Sequence, residues 1–355
     1  MAELYLGSSP HMGTAVRTQT IMAHVLIALA PVTIFGVVLY GLPALGVIVV
    51  SVASAVAGEA LFRRILGLPN RSGDLSAAVT GLLLALILPP ATPLWMAALG
   101  AVFAVVVAKE FFGGLGANVF NPALIGRAFL LMSFPAAITR WTIPGPGISE
   151  AALSGADAVS AASGLPLDTI SGATPLGIIK MGGTPVDVVR HFTAAGLSTE
   201  ATFPELVTTL FLGSHGGSIG ESSILLILAG GLYLLAMKVL DWRAPAGMIL
   251  SVFVFSCIPV VGVNPVFAVL AGGLVFGAVF MASDYTTAPL TAAGKLIFGA
   301  GAGIITVLIR KWGNYPEGVT FGILIMNAVT PFLNRLLQKK YGYVKKPRKP
   351  PEAAA

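Results

Sequence analysis

An all-α integral membrane protein is the fold class this chain predicts. Three observations carry the prediction. Of its 355 residues 56% are hydrophobic, only 10% are charged, and apolar runs near membrane-crossing length recur along most of the sequence. A soluble domain carries about 25% charged residues, so a soluble enzyme, a disordered chain and a nucleic-acid binder are excluded. The net charge of +6 does not revive the last of these. Much of it sits in one tail, from Arg335 to Lys349, and other basic residues flank apolar runs, as at the cytoplasmic face of a membrane protein.

Residues 1–20 are polar enough to form a cytoplasmic lead. The first apolar run, 21–40, is too long for the core of a signal peptide and has no convincing small-residue cleavage site behind it, so it reads as a retained span. Further runs follow at 43–62, 75–89, 93–109 and 121–134, several near the short end for a bilayer-spanning helix. A long mixed stretch, 135–221, is rich in Ala, Ser, Gly and Pro and holds seven acidic residues from Glu150 to Glu221. A loop of that length is usually functional or disordered. Apolar runs resume at 222–240, 245–262, 265–282, 293–309 and 318–336, which makes ten candidate helices. The tail, 338–355, is basic and Pro/Lys-rich, the composition of a disordered end.

Orientation follows from counting cations. With the N-terminus inside, sixteen Lys and Arg residues fall inside and five outside: Arg140, Lys180, Arg190, Arg310 and Lys311. That is a positive-inside bias, and it predicts both termini in the cytoplasm and 135–221 outside. A weak internal echo divides the helices into 21–134 and 222–337. Residues 75–134 and 265–336 each read as helix, loop ending Pro-Leu, helix, Gly/Asn loop, helix, with Ala91-Thr92-Pro93-Leu94 matched by Thr287-Ala288-Pro289-Leu290. The first copy starts inside and the second outside, the pattern of an inverted repeat of five helices against five.

The chemistry available is restricted. A single cysteine, Cys257, excludes an intrachain disulfide and any cysteine-built metal or iron–sulfur site within the chain. His11, His24, His191 and His215 are scattered without metal-ligand spacing, so no metal site is expected. The sharpest motif lies in the outer loop, Asp168-Thr169-Ile170-Ser171-Gly172-Ala173-Thr174. It can be an ordinary turn, with Ser171-Gly172 as the turn and Thr174 capping a short helix before Pro175. The other reading is an acceptor site, in which Gly172 and Ala173 leave the Thr174 hydroxyl open to a modifying enzyme. No general base stands beside that hydroxyl, so a transferase would have to activate it.

Two further motifs fall on the inside. In Phe111-Phe112-Gly113-Gly114-Leu115-Gly116-Ala117-Asn118-Val119-Phe120-Asn121-Pro122, the glycines suit a tight turn, and Asn121-Pro122 is a helix start. Asn118 and Asn121 are either structural caps or amides that share one pocket, where they could bind the alternating carbonyl and N–H edge of an isoalloxazine. Asp284, in Met281-Ala282-Ser283-Asp284-Tyr285-Thr286-Thr287-Ala288-Pro289, is either an interfacial turn residue or a functional carboxylate, at the same flavin pocket or on an ion relay. Other features read as structural. Glu59 and Arg63 have the spacing of a helix salt bridge, and Lys109 and Glu110 adjoin at a span end. Gly299 and Gly303 form a GxxxG packing motif. His24 reads as a hydrogen-bonded packing residue. Trp95, Trp141, Trp242 and Trp312 read as interfacial aromatics.

The string Asp168 to Thr174 resembles the D-x-x-S-G-A-T flavinylation motif of the Rnf and Na+-translocating NADH:quinone reductase families. Ser9-Pro10-His11-Met12, Ile21-Met22 and the stretch from Phe112 to Ala123 are also similar to Rnf D subunits, and the similarity covers essentially the whole chain. The related B subunits of the sodium pump typically have a longer N-terminal extension. The resemblance implies a pseudo-symmetric bundle similar to urea transporters in a bacterial or archaeal inner membrane. It implies FMN joined to Thr174 through a phosphoester, and a second, non-covalent flavin (riboflavin) near Asn118, Asn121 and Asp284. It further implies electron transfer from reduced ferredoxin to NAD+ coupled to Na+ or H+ movement, iron–sulfur and flavin partner subunits, and a flavin transferase during maturation. Two rival readings remain from the residues alone: a channel or carrier for a small solute or ion, and a structural anchor for redox partners.

Overall fold

The computed structural model describes residues 17–69, 71–141, 175–180, 203–213, 216–259, 262–313 and 317–337. Among them there is no strand. The helices are α1 (Thr18–Tyr40), α2 (Leu42–Ile65), α3 (Ser76–Ile87), α4 (Leu94–Val106), α5 (Pro122–Ser133), α6 (Pro135–Ile138), α7 (Pro175–Lys180), α8 (Phe203–Leu212), α9 (Ile224–Ala236), α10 (Arg243–Ser256), α11 (Pro265–Leu270), α12 (Leu274–Phe276), α13 (Ala292–Trp312) and α14 (Val319–Leu337). The fold is all-α and that of an integral membrane protein. Five helical stretches are long and apolar enough to cross a bilayer: α1, α2, the stretch from Leu94 to Phe112, α13 and α14. The 23 residues of α1 rise about 34 Å, against a hydrocarbon core of about 30 Å.

The expected helices at 75–89, 121–134 and 222–240 are present but shorter. With 12 residues, α3 and α5 rise only about 18 Å and cannot cross alone. Length is traded for enclosure. Eleven of the 12 residues of α3 are buried, so this helix is apolar all round because protein, not lipid, surrounds it.

The expected single span at 265–282 is broken. Asn264 caps α11, its Oδ1 accepting from the backbone N–H groups of Val266 and Phe267, and Pro265 takes the first helical position. The helix stops at Leu270, and Gly272 turns the chain with a φ of 72°. After α12 the backbone widens into a π-helical turn, Gly277–Met281, all of it buried. No charged or polar residue marks the break; its one local sign is the Gly272-Gly273 pair, and glycine is common in membrane helices. The Arg310 guanidinium of α13 makes the break tolerable, donating to the carbonyls of Ala268 (2.5 Å) and Ala271 (3.1 Å), two acceptors that the interrupted ladder leaves over.

Packing pairs recur in the two sets of helices. α2 packs on α3 and α4, and α4 on α5; α10 packs on α11 and α13, and α13 on α14. The sets meet where α1 lies against α9 and α5 against α14. The Gly299/Gly303 pair brings α13 against α10, as expected. A Cβ on Gly299 would stand 2.1 Å from the Ala244 carbonyl oxygen, and one on Gly303 would stand 2.5 Å from that of Met248. His24 is hydrogen-bonded, its Nδ1 lying 2.8 Å from the Tyr233 hydroxyl across the α1–α9 contact. Trp95, Trp242 and Trp312 are exposed at helix ends as the pattern predicts, but Trp141 is buried.

Two electrostatic expectations change. Glu59 and Arg63 do not pair with each other. Both point from one face of α2 at the 3-10 turn Glu110–Phe112 and the residue before it, so Glu59 takes Lys109 and Arg63 takes Glu110. Arg127, one of the sixteen cations assigned to the inside, is buried within short α5 and paired with Glu317. Arg63, Lys109 and Arg127 therefore report on packing rather than on which surface faces the cytoplasm.

Candidate functional site

The N-terminal end of α3 is fixed by a chain of hydrogen bonds. The 3-10 turn Ser72–Asp74 hands over to α3 at Leu75, which has a φ of 64°. The Asp74 carboxylate accepts from the Ser76 N–H (2.8 Å) and the Ser76 hydroxyl (2.5 Å). The Ser76 oxygen in turn accepts from Lys109 Nζ at 2.5 Å, and Lys109 donates to Glu59 at 3.0 Å. Lys109 and Glu59 are each 1% exposed. A buried ammonium and carboxylate persist only when paired and further hydrogen-bonded, and this chain satisfies both conditions.

Ser76 and Thr80 form one wall of a cavity of about 80 Å³. The other walls come from the N-terminal part of α1 (Met22, Val25), the end of α9 (Leu234) and the π-helical turn (Val279, Phe280). At about 10–15 Å³ per water, that volume holds roughly six waters. Mostly apolar walls with a few polar groups are the usual make-up of a cofactor site. The structure brings Asn118, Asn121 and Asp284 together here, with Ser283 and Thr286. Sequence spacing could not supply that meeting, because Asn118 and Thr286 are 168 residues apart and Asn118 donates to the Thr286 hydroxyl at 3.2 Å.

Each of the three has a structural duty as well. Asn118 accepts from Gly116 N–H and donates to the Phe120 carbonyl, closing a turn in which Gly113, Gly114 and Gly116 all have positive φ. Asn121 caps α5, its Oδ1 accepting from the N–H groups of Ala123 (3.1 Å) and Leu124 (3.3 Å). That use of Oδ1 leaves the amide N–H groups of Asn121 as what it can offer the cavity. Asp284 folds back on its own turn, accepting from the N–H and hydroxyl of Thr286 and the hydroxyl of Thr287. Asn121→Ala is therefore expected to cost about 1 kcal/mol of stability through the lost cap, measurable as a lower unfolding midpoint in detergent. Ser76, Thr80 and Thr286 were not singled out from sequence. Their one available signal was the presence of hydroxyl residues at the ends of otherwise apolar runs.

The motif residues Asp168, Ser171, Gly172, Ala173 and Thr174 lie outside the described residues. The segment directly after them is described. α7 starts at Pro175, and its Leu176 is buried. A Cβ on Gly272 would stand 2.5 Å from the Leu176 Cδ1, so α7 is seated on the α11–α12 break. Lys180 Nζ donates to the Gly313 carbonyl at 2.6 Å, which ties the far end of α7 to the end of α13.

The model of the NQR2, RnfD, RnfE family matches residues 5–342. The chain belongs to that family. It is 41% identical over 343 residues to the D subunit of the proton-translocating ferredoxin:NAD(+) oxidoreductase complex of Clostridium ljungdahlii, covering 95% of this chain and 96% of the relative. It is 41% identical over 331 residues to the D subunit of the ion-translocating oxidoreductase complex of Stutzerimonas stutzeri, covering 91% of each. It is 38% identical over 346 residues to the D subunit of the Na(+)-translocating ferredoxin:NAD(+) oxidoreductase complex of Acetobacterium woodii, covering 96% of each. Family members of this kind match the present chain over nearly all of their length, so its loops and half-length helices lie within the region of similarity.

Proposed function

We propose that this protein is the D-type membrane subunit of an ion-translocating ferredoxin:NAD+ oxidoreductase, carrying FMN covalently on Thr174 and a second, non-covalent flavin in the Asn118–Asn121–Asp284 cavity. The observation that carries the reading is the coexistence, in one chain, of near full-length similarity to subunits of that name and an intact Asp168–Thr174 motif. Bound flavins supply reversible electron transfer that no side chain of this protein offers. The chain's own contribution is attachment, orientation and exclusion of water. Thr174 provides the hydroxyl oxygen for the phosphoester. Asn121 offers amide donors to a ring carbonyl, and the apolar walls from α1, α9 and the π-helical turn keep water away from the ring.

The second flavin is supported by the mostly apolar lining of the cavity and by Asn121, whose N–H donors stay available after its oxygen is spent on a cap; at about 80 Å³ the cavity would have to widen to admit a flavin ring. The recurrent packing of α2 with α3 and α4, and of α10 with α11 and α13, supports an inverted five-against-five arrangement. The protein sits in the cytoplasmic membrane with both termini inside and 135–221 outside. Removing the buried, paired cations Arg63, Lys109 and Arg127 from one side of the count and Arg310 from the other still leaves thirteen against four. Iron–sulfur and flavin subunits of the same complex are its electron-transfer partners, and a flavin transferase loads Thr174. One similar relative is named for proton and another for Na+ translocation, at 41% and 38% identity, so overall similarity does not choose the coupling ion.

Intact mass after denaturation tests the attachment. The wild-type chain from its native membrane is expected to carry an increment matching FMN on the peptide containing Thr174, and the Thr174→Ala chain to lack it while still purifying as a folded protein. An unmodified Thr174 peptide in a turning-over complex overturns the reading in favour of a flavin-free channel or anchor.

A further inference from the structure

α14 carries an interruption that its apolar composition hides. Pro331 lies inside the helix and has no N–H to give the carbonyl of Asn327, four residues earlier. The side chain of that same residue is also unsatisfied. Asn327 is 0% exposed, and neither its Oδ1 nor its Nδ2 has a hydrogen-bond partner among the described residues. Exchanging the two amide atoms changes nothing, because both are orphaned. Three polar groups of one residue therefore lack their usual partners. They stand about 12 Å from the start of a membrane-length helix that rises about 28 Å, close to its midpoint.

The helices around α14 do not close the gap. α14 packs on α13, on α5 and on the π-helical turn. Toward α13 it turns Gly322 and Met326. A Cβ on Gly322 would stand 2.6 Å from the Ala302 carbonyl oxygen, and Met326 Sδ lies 2.6 Å from where a Cβ on Gly301 would stand. Toward the π-helical turn it presents Val319 and Ile323, with Val319 Cγ1 2.5 Å and Ile323 Cδ1 3.5 Å from a Cβ on Gly277. Asn327 follows Ile323 by four residues and continues that inner face. Two hydroxyls of these helices are already committed. Thr330 donates to the Met326 carbonyl at 3.1 Å, and Thr306 of α13 donates to the Ala302 carbonyl at 2.7 Å. Back-bonding of the Thr330 kind, like an internal proline, bends a helix.

We propose that Asn327 holds an internal water site, in which one or two waters donate to its backbone carbonyl and Oδ1 and accept from its Nδ2. Water is the ligand whose chemistry matches the set, because it both donates and accepts, and a buried water typically makes about three hydrogen bonds. A metal cation would take the two oxygens but face the Nδ2 hydrogens, and hard cations take about six oxygen ligands. A lipid tail offers no donor and does not reach a fully buried residue. The water completes the ladder that Pro331 interrupts, as ordered water does for backbone groups freed by proline in other membrane helices. The same face of α14 supports Gly277, in the π-helical turn whose Val279 and Phe280 wall the cavity. The water site needs no flavin, and its test reads neither Thr174 nor the contents of the cavity.

A cryo-EM map of the native complex in lipid nanodiscs, at a resolution that shows ordered water, is the direct test and needs no variant. A density peak is expected about 2.7–3.2 Å from Asn327 Nδ2 and within the same range of Oδ1 or the backbone oxygen. The sign of a stability change is the second test. Asn327→Leu keeps nearly the same volume and improves helix propensity, so at a dry site the loss of an orphaned amide should raise the unfolding midpoint in detergent. At a hydrated site the same change should lower the midpoint, because the carbonyl freed by Pro331 loses its water. Pro331→Ala returns an N–H to that carbonyl, and in its background the drop caused by Asn327→Leu should shrink. The proposal is overturned if the map shows no peak beside Asn327 or if Asn327→Leu raises the midpoint. It is also overturned if the peak touches oxygens alone at about 2.3–2.6 Å, which would assign the site to a metal ion.

Discussion

Lys109→Ala is expected to cost about 3–5 kcal/mol of folding stability, the penalty for leaving a buried charge without its partner. Glu59 is 1% exposed and Lys109 is its only ion-pair partner among the described residues, so truncation strands a carboxylate inside the protein. It also removes the donor that Ser76 accepts from, which loosens the start of α3 and with it one wall of the cavity. The half-buried pair Lys295–Asp241 is the internal control. Its side chains are each 25% exposed, and Lys295→Ala should cost well under about 1 kcal/mol, screened by solvent and salt. The double variant Lys109→Met, Glu59→Gln should recover most of the loss, because it removes both charges and leaves an uncharged polar group in place of a buried ion. Unfolding midpoints in detergent, compared across the four proteins, decide the matter. Equal losses for Lys109→Ala and Lys295→Ala would mean that the inner pair is not desolvated.

Gly299→Ala is the second large effect. Alanine is intrinsically favoured over glycine within a helix by about 1 kcal/mol, so a neutral site would be stabilised. At Gly299 the added Cβ would lie 2.1 Å from the backbone oxygen of Ala244, which cannot rotate away. α10 and α13 must then separate, and their contact is the most extensive between any two of the described helices. The expected loss is about 1–3 kcal/mol or more, with poor recovery of folded protein. Gly301 lies two residues away on a different face. Its Cβ would meet the Met326 sulfur at 2.6 Å, at the flexible part of an unbranched side chain. Gly301→Ala should therefore be close to neutral. Size-exclusion profiles and thermal melts of the two variants separate a steric wedge from a general intolerance of substitution in α13.

Much of the fold was legible from local chemistry. Apolar runs gave the positions of the helices, because any segment facing lipid must be both apolar and helical. Asn121-Pro122 announced the start of α5, and the structure places the Asn121 cap where that dipeptide predicts it. Gly299 and Gly303 announced a close helix contact. The break in 265–282 was not legible. Its one local mark is the Gly272-Gly273 pair, which continuous membrane helices also tolerate, and the turn at Gly272 is held by Arg310, some 40 residues further along the chain. The Glu59–Arg63 spacing was misleading for a related reason. A partner four residues away is always available in a helix, but the direction of the side chains and the depth of burial decide which partner is taken.

By itself, then, the amino-acid order determined the membrane class, the helical content, the caps and the motif at Thr174. Each of these depends on composition or on neighbours within a few residues. Only the tertiary structure decided which polar groups meet: Asn118 with Thr286, Lys109 with Glu59, Arg127 with Glu317, and Arg310 with the broken end of α11. The physical reason is solvation. In an interior without water every charge and every freed carbonyl must find a partner, and that partner is set by which helices pack together rather than by distance along the chain.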